Sequence, residues 1–210
     1  MLKKTPNIAI VILAAGASRR MGTPKQLLSW GNDTLLKHAV KTAVDSHACK
    51  VIVVLGANYE AIENDIKSLA ITILKNDNWE LGLGKSIACA ANSIINSNED
   101  FDGVLITLAD QPLIDTAFLN EFITNFIPNQ NQIIATSYGE EKKGVPVLFD
   151  KNYFSELEML SDDNGAKILL KKHDTLVEVL KFKTENLDID LKTDYNRLFK
   201  VSFEKQKGFE

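Results

Sequence analysis

Ile8-Ala9-Ile10-Val11-Ile12-Leu13-Ala14-Ala15-Gly16-Ala17-Ser18-Arg19-Arg20-Met21-Gly22-Thr23-Pro24-Lys25 decides how the chain is read. Its opening residues are apolar, largely β-branched and without alternation, the pattern of a strand buried on both faces. Small residues and Gly16 follow, and Arg19, Arg20 and Lys25 then bring three cations close together. Small residues let a backbone approach a ligand closely, and exposed N–H groups with clustered cations hold anionic oxygens. The ligand this points to is a polyphosphate. A plain βα turn carrying solvated basic residues is the competing reading.

Two familiar phosphate loops fail on counting. The P-loop needs glycine, four residues, then Gly-Lys-Ser/Thr, whereas Gly16 and Gly22 have five residues between them and Thr23-Pro24 follows. The dinucleotide pattern G-x-G-x-x-G fails because Ala17 and Ser18 follow Gly16. What remains is a wide small-residue turn, the pair Arg19-Arg20, and a lysine placed after a proline.

Outward from this loop, strand and helix patterns alternate. Helical spacing runs through Leu35, Leu36, Ala39, Val40, Ala43 and Val44, with Asn32-Asp33 as N-cap. Val51–Leu55 is a strand, Tyr59–Leu69 a helix, Ile71–Leu74 a strand, Ser86–Ile95 a helix and Val104–Leu108 a strand. Phe118, Leu119, Phe122, Ile123 and Phe126 make an apolar helix face capped near Asp115. Strands at Gln132–Thr136 and Val145–Phe149, joined by the polar turn Gly139–Gly144, form a hairpin-like insert. A helix over Gly165–Lys172 and a strand over Leu176–Leu180 close the domain. The expectation is an α/β fold with a mostly parallel, mixed sheet and helices on both faces. It has one domain over 1–199 and a charged tail over 200–210.

With 45% apolar and 25% charged residues, 210 residues can bury an ordinary core. A net charge of −4 argues against nonspecific nucleic-acid binding and makes the basic loop a local feature. No apolar run approaches the ~20 residues of a membrane span, and the residues before Ile8 are too few for a signal peptide. Cys49 and Cys89 lack a partner motif and read as buried thiols of a cytoplasmic protein. His38, His47 and His173 have no nucleophile or carboxylate partner at a telling spacing and read as surface or structural residues.

Asp110 stands where the strand Val104–Leu108 ends. Ligands of open parallel sheets gather at the carboxyl ends of strands, which puts Asp110 in the crevice of the first loop. A carboxylate beside a triphosphate suits Mg²⁺, although an Asp here can also cap a helix. Asp188-Ile189-Asp190 places two carboxylates on one side of an extended chain, suiting one metal site, or one ligand and a solvated neighbour.

The stretch LAAGASRRMGTPKQLL resembles the signature of the MobA-like nucleotidyltransferases, and within them the molybdenum cofactor cytidylyltransferase branch. The resemblance runs from Ile8 to about Tyr195. It implies a three-layer Rossmann-like nucleotidyltransferase fold. It implies that Lys25, Arg20 and Asp110 carry the chemistry, with Asp110 and Asp190 holding Mg²⁺. Leu13, Ala14, Ala15, Gly16, Ser18, Arg19, Gly22, Gly82 and Ser86 join Arg20 and Lys25 at the nucleotide, the backbone of Leu13–Ala15 reading the base edge. Gly82 and Ser86 belong to Asn78–Ser86, a Trp-Gly segment with Ser86 as helix cap.

Gly144–Phe149 and Asp162–Lys167 resemble the family's acceptor segments, giving Gly144, Pro146, Asp163, Gly165 and Lys167 as acceptor residues. Val145 stands for the family's usual histidine, Asp162 for a glycine and Lys167 for an arginine. After Asp190 the family usually has Thr-Pro-Glu-Asp, and only Asp194 matches it.

The implied reaction passes a nucleoside monophosphate, CMP from CTP, to molybdenum-bound pterin phosphate (molybdopterin) and releases pyrophosphate. Ala15, where the guanylyl branch often has glycine, favours the smaller pyrimidine. A molybdoenzyme or its chaperone is the partner that such a product implies. Three other readings stand beside this one: transfer to a sugar or polyol phosphate, guanylyl transfer to the same pterin, and a carrier without turnover.

Overall fold

A computed structural model of the protein describes residues 5–138, 142–161, 163–182 and 188–204. The first apolar run forms strand β1, Ile8–Leu13, and all of it is buried. Its missing alternation follows from its place inside a seven-stranded sheet covered on both faces.

The chain passes from β1 through a small antiparallel ribbon, β2 (Ser29–Trp30) and β3 (Asp33–Thr34), into helix α1, Leu35–Val44. Then come β4 (Lys50–Leu55), α2 (Tyr59–Ile66), β5 (Thr72–Lys75), α3 (Leu83–Ile95), β6 (Gly103–Leu108) and α4 (Thr116–Asn125). A hairpin of β7 (Ile133–Tyr138) and β8 (Lys142–Asp150) leads to α5 (Phe154–Glu158), α6 (Lys167–Lys172), β9 (Val177–Lys181) and α7 (Lys192–Phe199).

The strand order is β5-β4-β1-β6-β8-β7-β9. β1 pairs parallel with β4 and β6, while β8 alone runs against its neighbours β6 and β7. The chain thus builds outward on one side of β1, to β4 and β5, and then crosses to β6 on its other side. That reversal is a topological switch point, where a crevice opens beyond the strand ends.

Alternate residues of β1 feed two cores. Ile8, Ile10 and Ile12 pack with Leu36, Ile62 and Phe122 of α1, α2 and α4. Ala9, Val11 and Leu13 pack with Ile87, Leu157 and Leu169 of α3, α5 and α6. The mixed α/β sheet with helices on both faces and the reversed strand of the hairpin match the sequence reading, and Asp115 caps α4 by accepting from Phe118 N–H at 2.8 Å. Among the described residues no helix is long and apolar enough to cross a membrane.

Several local expectations are corrected. Thr34, not Asn32-Asp33, caps α1, because Asp33 is held in β3 and its carboxylate meets Lys41 at 2.8 Å. Helix α3 begins at Leu83, a turn earlier than Ser86, since Gly82, at a positive φ that favours glycine (φ 104, ψ 176), supplies the entry. Cys49 is exposed and Cys89 half-buried, because one stands in the connection just ahead of β4 and the other on α3 beside its buried face. Residues 200–204, read as the start of a charged tail, continue α7 as a wider helical turn. There Phe203 stacks edge-on against Trp30 at 5.2 Å. Residues 205–210 lie outside the described residues, as do Asp162 and Gly139–Glu141.

Candidate active site

β1 and β6 run in register with Leu13 beside Leu108, so the segments after them leave the sheet together. The Ala109 N–H donates to the Leu13 carbonyl at 3.2 Å, and Asp110 comes to lie against the loop 14–25.

That loop is shaped by its own residues. Gln26, 2% exposed, donates through Nε2 to the carbonyls of Ala14 and Gly16, both at 2.8 Å. The Ser18 hydroxyl donates to Gln26 Oε1 at 3.3 Å and accepts from the Lys25 N–H at 3.1 Å. Ser18 (φ 54) and Gly22 (φ 71) are both left-handed and fold the loop back. Ala14 donates its N–H to the Val54 carbonyl at 2.9 Å, and the Ala15 carbonyl accepts from Ala57 N–H at 3.0 Å. The scaffold therefore engages the carbonyls of Leu13–Ala15 and the Ala14 N–H. Among the described residues, the N–H groups of Ala15, Gly16 and Ala17 have no protein partner and form the loop's donor surface.

At the loop's end Lys25 meets the carboxylates. Its Nζ donates to Asp110 Oδ2, to the Ile189 carbonyl at 3.0 Å and to Asp190 Oδ1 at 3.5 Å. The Arg20 guanidinium lies 3.3 Å from the other Asp190 oxygen. Lys25 and Asp110 are only 18% and 13% exposed, so this is not a surface ion pair. Burial pushes the Asp110 carboxyl above its ordinary value; the Lys25 charge and hydrogen bond pull it down without cancelling the rise, and Asp188 and Asp190 add to it. Asp110 Oδ1 is buried without a partner among the described residues.

These hard oxygens fit a divalent cation: Asp110 with an orphaned lone pair, Asp190, and the Ile189 carbonyl. Among the described residues no three His, Cys, Asp or Glu side chains converge. Two carboxylates leave the other positions of a six-coordinate ion to phosphate and water.

The loop, Lys25 and Asp110 line a cleft of about 470 Å³, within the usual size for small ligands. Trp79, Gly82, Leu83 and Ser86 also line it, as do Arg19, Arg20, Asp163 and Asp190. Trp79 lies over Gly56, where a Cβ would stand 2.5 Å from the Trp79 Cβ and 2.8 Å from the Ala15 carbonyl oxygen. Glycine is thus required for the indole to reach the cleft.

Most predicted residues converge here, some in other roles. Leu13, Ala14, Ala15, Gly16, Ser18, Arg19, Arg20, Lys25, Gly82, Ser86, Asp110, Asp163 and Asp190 all line the cleft. Ser18 spends its hydroxyl on the loop, and Arg19 points outward to Glu80 at 3.7 Å. Gly22 is not in the lining and serves the turn. Ser86 is buried inside α3, where it accepts from Asn76 Nδ2 at 3.0 Å. Asp194 caps α7, accepting from Leu191 N–H at 2.9 Å.

Of the acceptor residues only Asp163 reaches the cleft wall. Pro146 is buried, its carbonyl accepting from the Thr136 hydroxyl at 2.8 Å, and Gly144 lies beside the Tyr138 ring. Gly165 (φ 55) sits under Leu83, where a Cβ would come within 2.9 Å of it, and Lys167 is exposed on α6. Gln26 and Gln111 were not singled out from sequence. Nothing in a lone glutamine marks it as buried, although both directly follow a residue of the ion cluster, Lys25 or Asp110.

Known proteins share the family and the fold. The chain is 27% identical over 194 residues to nicotine blue oxidoreductase of Paenarthrobacter nicotinovorans, spanning 90% of this chain and 93% of that one. Rv0371c of Mycobacterium tuberculosis superposes with a TM-score of 0.80 at 27% identity, over 94% of this chain and all (100%) of the other. A structure of Rv0371c in complex with manganese gives 0.76 at 26% identity, over 92% and 98%. Residues 10–176 match the MobA-like NTP transferase domain, and the chain belongs to that family of nucleotidyltransferases.

Proposed function

We propose that the protein transfers CMP from CTP to the terminal phosphate of molybdenum-bound pterin. The observation that carries this is the Lys25 ammonium set between Asp110 and Asp190, beside a loop that presents free N–H groups. An acceptor phosphate oxygen attacks the α-phosphorus of the triphosphate, and the bond to the β-phosphate oxygen breaks as pyrophosphate leaves. The nucleophile is already an anion, so no covalent enzyme intermediate or strong base is needed. The protein positions the groups and neutralises charge.

The N–H groups of Ala15–Ala17 bind phosphate oxygens, and Arg20 exchanges Asp190 for the triphosphate. Lys25 turns from the carboxylates to the α-phosphate, where negative charge grows in the transition state. Asp110 and Asp190 would hold a divalent cation, Mg²⁺ in this reading, which would supply Lewis-acid neutralisation of phosphate charge when bound. The manganese complex of Rv0371c supports the divalent site.

Ala15 carries a methyl group in the cleft lining, which favours a pyrimidine over a purine. Asp163 on the cleft wall supports an acceptor entering from the α3–α6 side. The P. nicotinovorans relative is called an oxidoreductase, which raises redox chemistry instead. The loop here lacks the dinucleotide glycines, and its paired cations and carboxylates suit a triphosphate.

Thermal shift with each of the four triphosphates and Mg²⁺ tests the reading. CTP at a hundred times its Kd should add about 2.7 kcal/mol of stability. No shift with any triphosphate would refute it.

A further inference from the structure

Gln111 is an expensive residue for its position. It is 4% exposed, and its Oε1 is buried with no partner among the described residues. A buried amide with one end unpaired is penalised in a way that a methionine of similar length is not. The other end of the amide shows what it does. Nε2 donates to Asp188 Oδ1 at 2.8 Å, and it also lies 3.2 Å from the Tyr138 hydroxyl and 3.5 Å from the Val145 carbonyl. The nitrogen must be the atom facing this group, because the amide oxygen would meet a carboxylate oxygen there.

Asp188 and Asp190 are two residues apart, and a shift of the segment would exchange them. Ile189, fully buried with Trp30, Leu35 and Leu198, anchors the segment, and three bonds hold it further. Gln111 holds Asp188, the Ile189 N–H donates to the Asp110 carbonyl at 3.0 Å, and the Ile189 carbonyl accepts from Lys25 at 3.0 Å. Of the three, only the bond from Gln111 distinguishes one aspartate from the other. It leaves Asp190 facing Lys25 at 3.5 Å and Arg20 at 3.3 Å. We propose that Gln111 is the positioning residue of the carboxylate pair: by holding Asp188 it delivers Asp190, and not Asp188, to the divalent cation beside Asp110. The inference rests on the nucleotidyl-transfer reading above. The same amide reaches the β7–β8 hairpin, so it ties that hairpin to the metal-holding segment.

The test is Mn²⁺ binding by the full chain with a non-hydrolysable CTP analogue, read by the EPR signal of free Mn²⁺. Gln111→Met, which keeps length and loses the donor, should raise the Mn²⁺ Kd by roughly 10- to 100-fold. Its affinity for the analogue in EDTA should not change. Asp188→Asn keeps an oxygen that accepts from Gln111 and should bind Mn²⁺ as the unaltered chain does. Asp188→Ala, a change at an exposed residue, should weaken Mn²⁺ as Gln111→Met does, and it serves even if the core variant fails to fold. Asp190→Asn should lose the ion.

Normal Mn²⁺ binding by Gln111→Met or by Asp188→Ala would overturn the inference. So would loss of Mn²⁺ in Asp188→Asn with retention in Asp190→Asn. An unaltered chain that binds the analogue but no Mn²⁺ would refute the metal site itself, and one that binds neither would refute the functional reading.

Discussion

Gly16→Ala separates what the first loop does for stability from what it does for a ligand. A Cβ at Gly16 would meet no protein atom within 4 Å, and the residue's φ lies outside the left-handed region. Neither packing nor backbone strain demands glycine there. Replacing such a glycine narrows the unfolded ensemble, so the variant should gain about 0.4–1 kcal/mol. At roughly 2–4 °C per kcal/mol for a chain of this size, the midpoint should rise by a degree or more.

The empty space faces the cleft, beside the N–H groups that would hold phosphate. A methyl group there should hold the triphosphate off the backbone and cost about 1–3 kcal/mol of affinity, or roughly 10- to 200-fold. The assay is a thermal melt without nucleotide, together with calorimetric titration of CTP and Mg²⁺. A variant as stable as the original that binds CTP equally well would refute the claim that this backbone meets the phosphates. A variant that unfolds would refute the packing argument.

Lys25→Ala should lower kcat by about 100-fold or more with little change in KM for the triphosphate, since its charge matters most in the transition state; a rise in KM alone, with kcat kept, would contradict this. Asp110→Asn should keep the fold and abolish Mg²⁺-dependent pyrophosphate release, and turnover at ordinary Mg²⁺ levels would disprove its role. Away from the cleft, hydrogen bonds from Lys172 and His173 hold the Glu156 carboxyl below its usual range. That stabilisation is present above the unfolded carboxylate value and lost as pH falls through the depressed one. Glu156→Gln should therefore lose under about 1 kcal/mol near neutrality and match the original chain once the pH has fallen below the depressed value, as paired melts would show.

The parts of the fold legible in the sequence were those with a periodic or compositional signature. Ile8–Leu13 lacks alternation because both its faces meet helices, and that alone places it inside the sheet. The β7–β8 insert could be read from two apolar runs with a polar turn between them. Caps were less legible, because Thr34 and Gly82 owe their roles to the β3 pairing and to a positive-φ glycine, neither visible as a pattern. At the site, Lys25, Arg20, Asp110 and Asp190 stand in motifs, and the structure gathers them. The residues that orient them do not stand in motifs. Gln26 is buried by a loop that folds back over ten residues from Gly16, and Gln111 finds its partner Asp188 77 residues away. Ser86 does not cap α3, and the carboxamide of Asn76, ten residues away, donates to its hydroxyl instead.

The central claim is transfer of CMP to a pterin phosphate. It is tested most directly by incubating the chain with molybdopterin, Mg²⁺ and CTP or GTP labelled on the α-phosphate, and following label into the pterin dinucleotide. The account predicts labelled cytosine dinucleotide and stoichiometric pyrophosphate, with kcat/KM for CTP above that for GTP by about 10- to 200-fold and a smaller gap in Ala15→Gly. A preference for GTP, or no label in the pterin from either triphosphate, would contradict it.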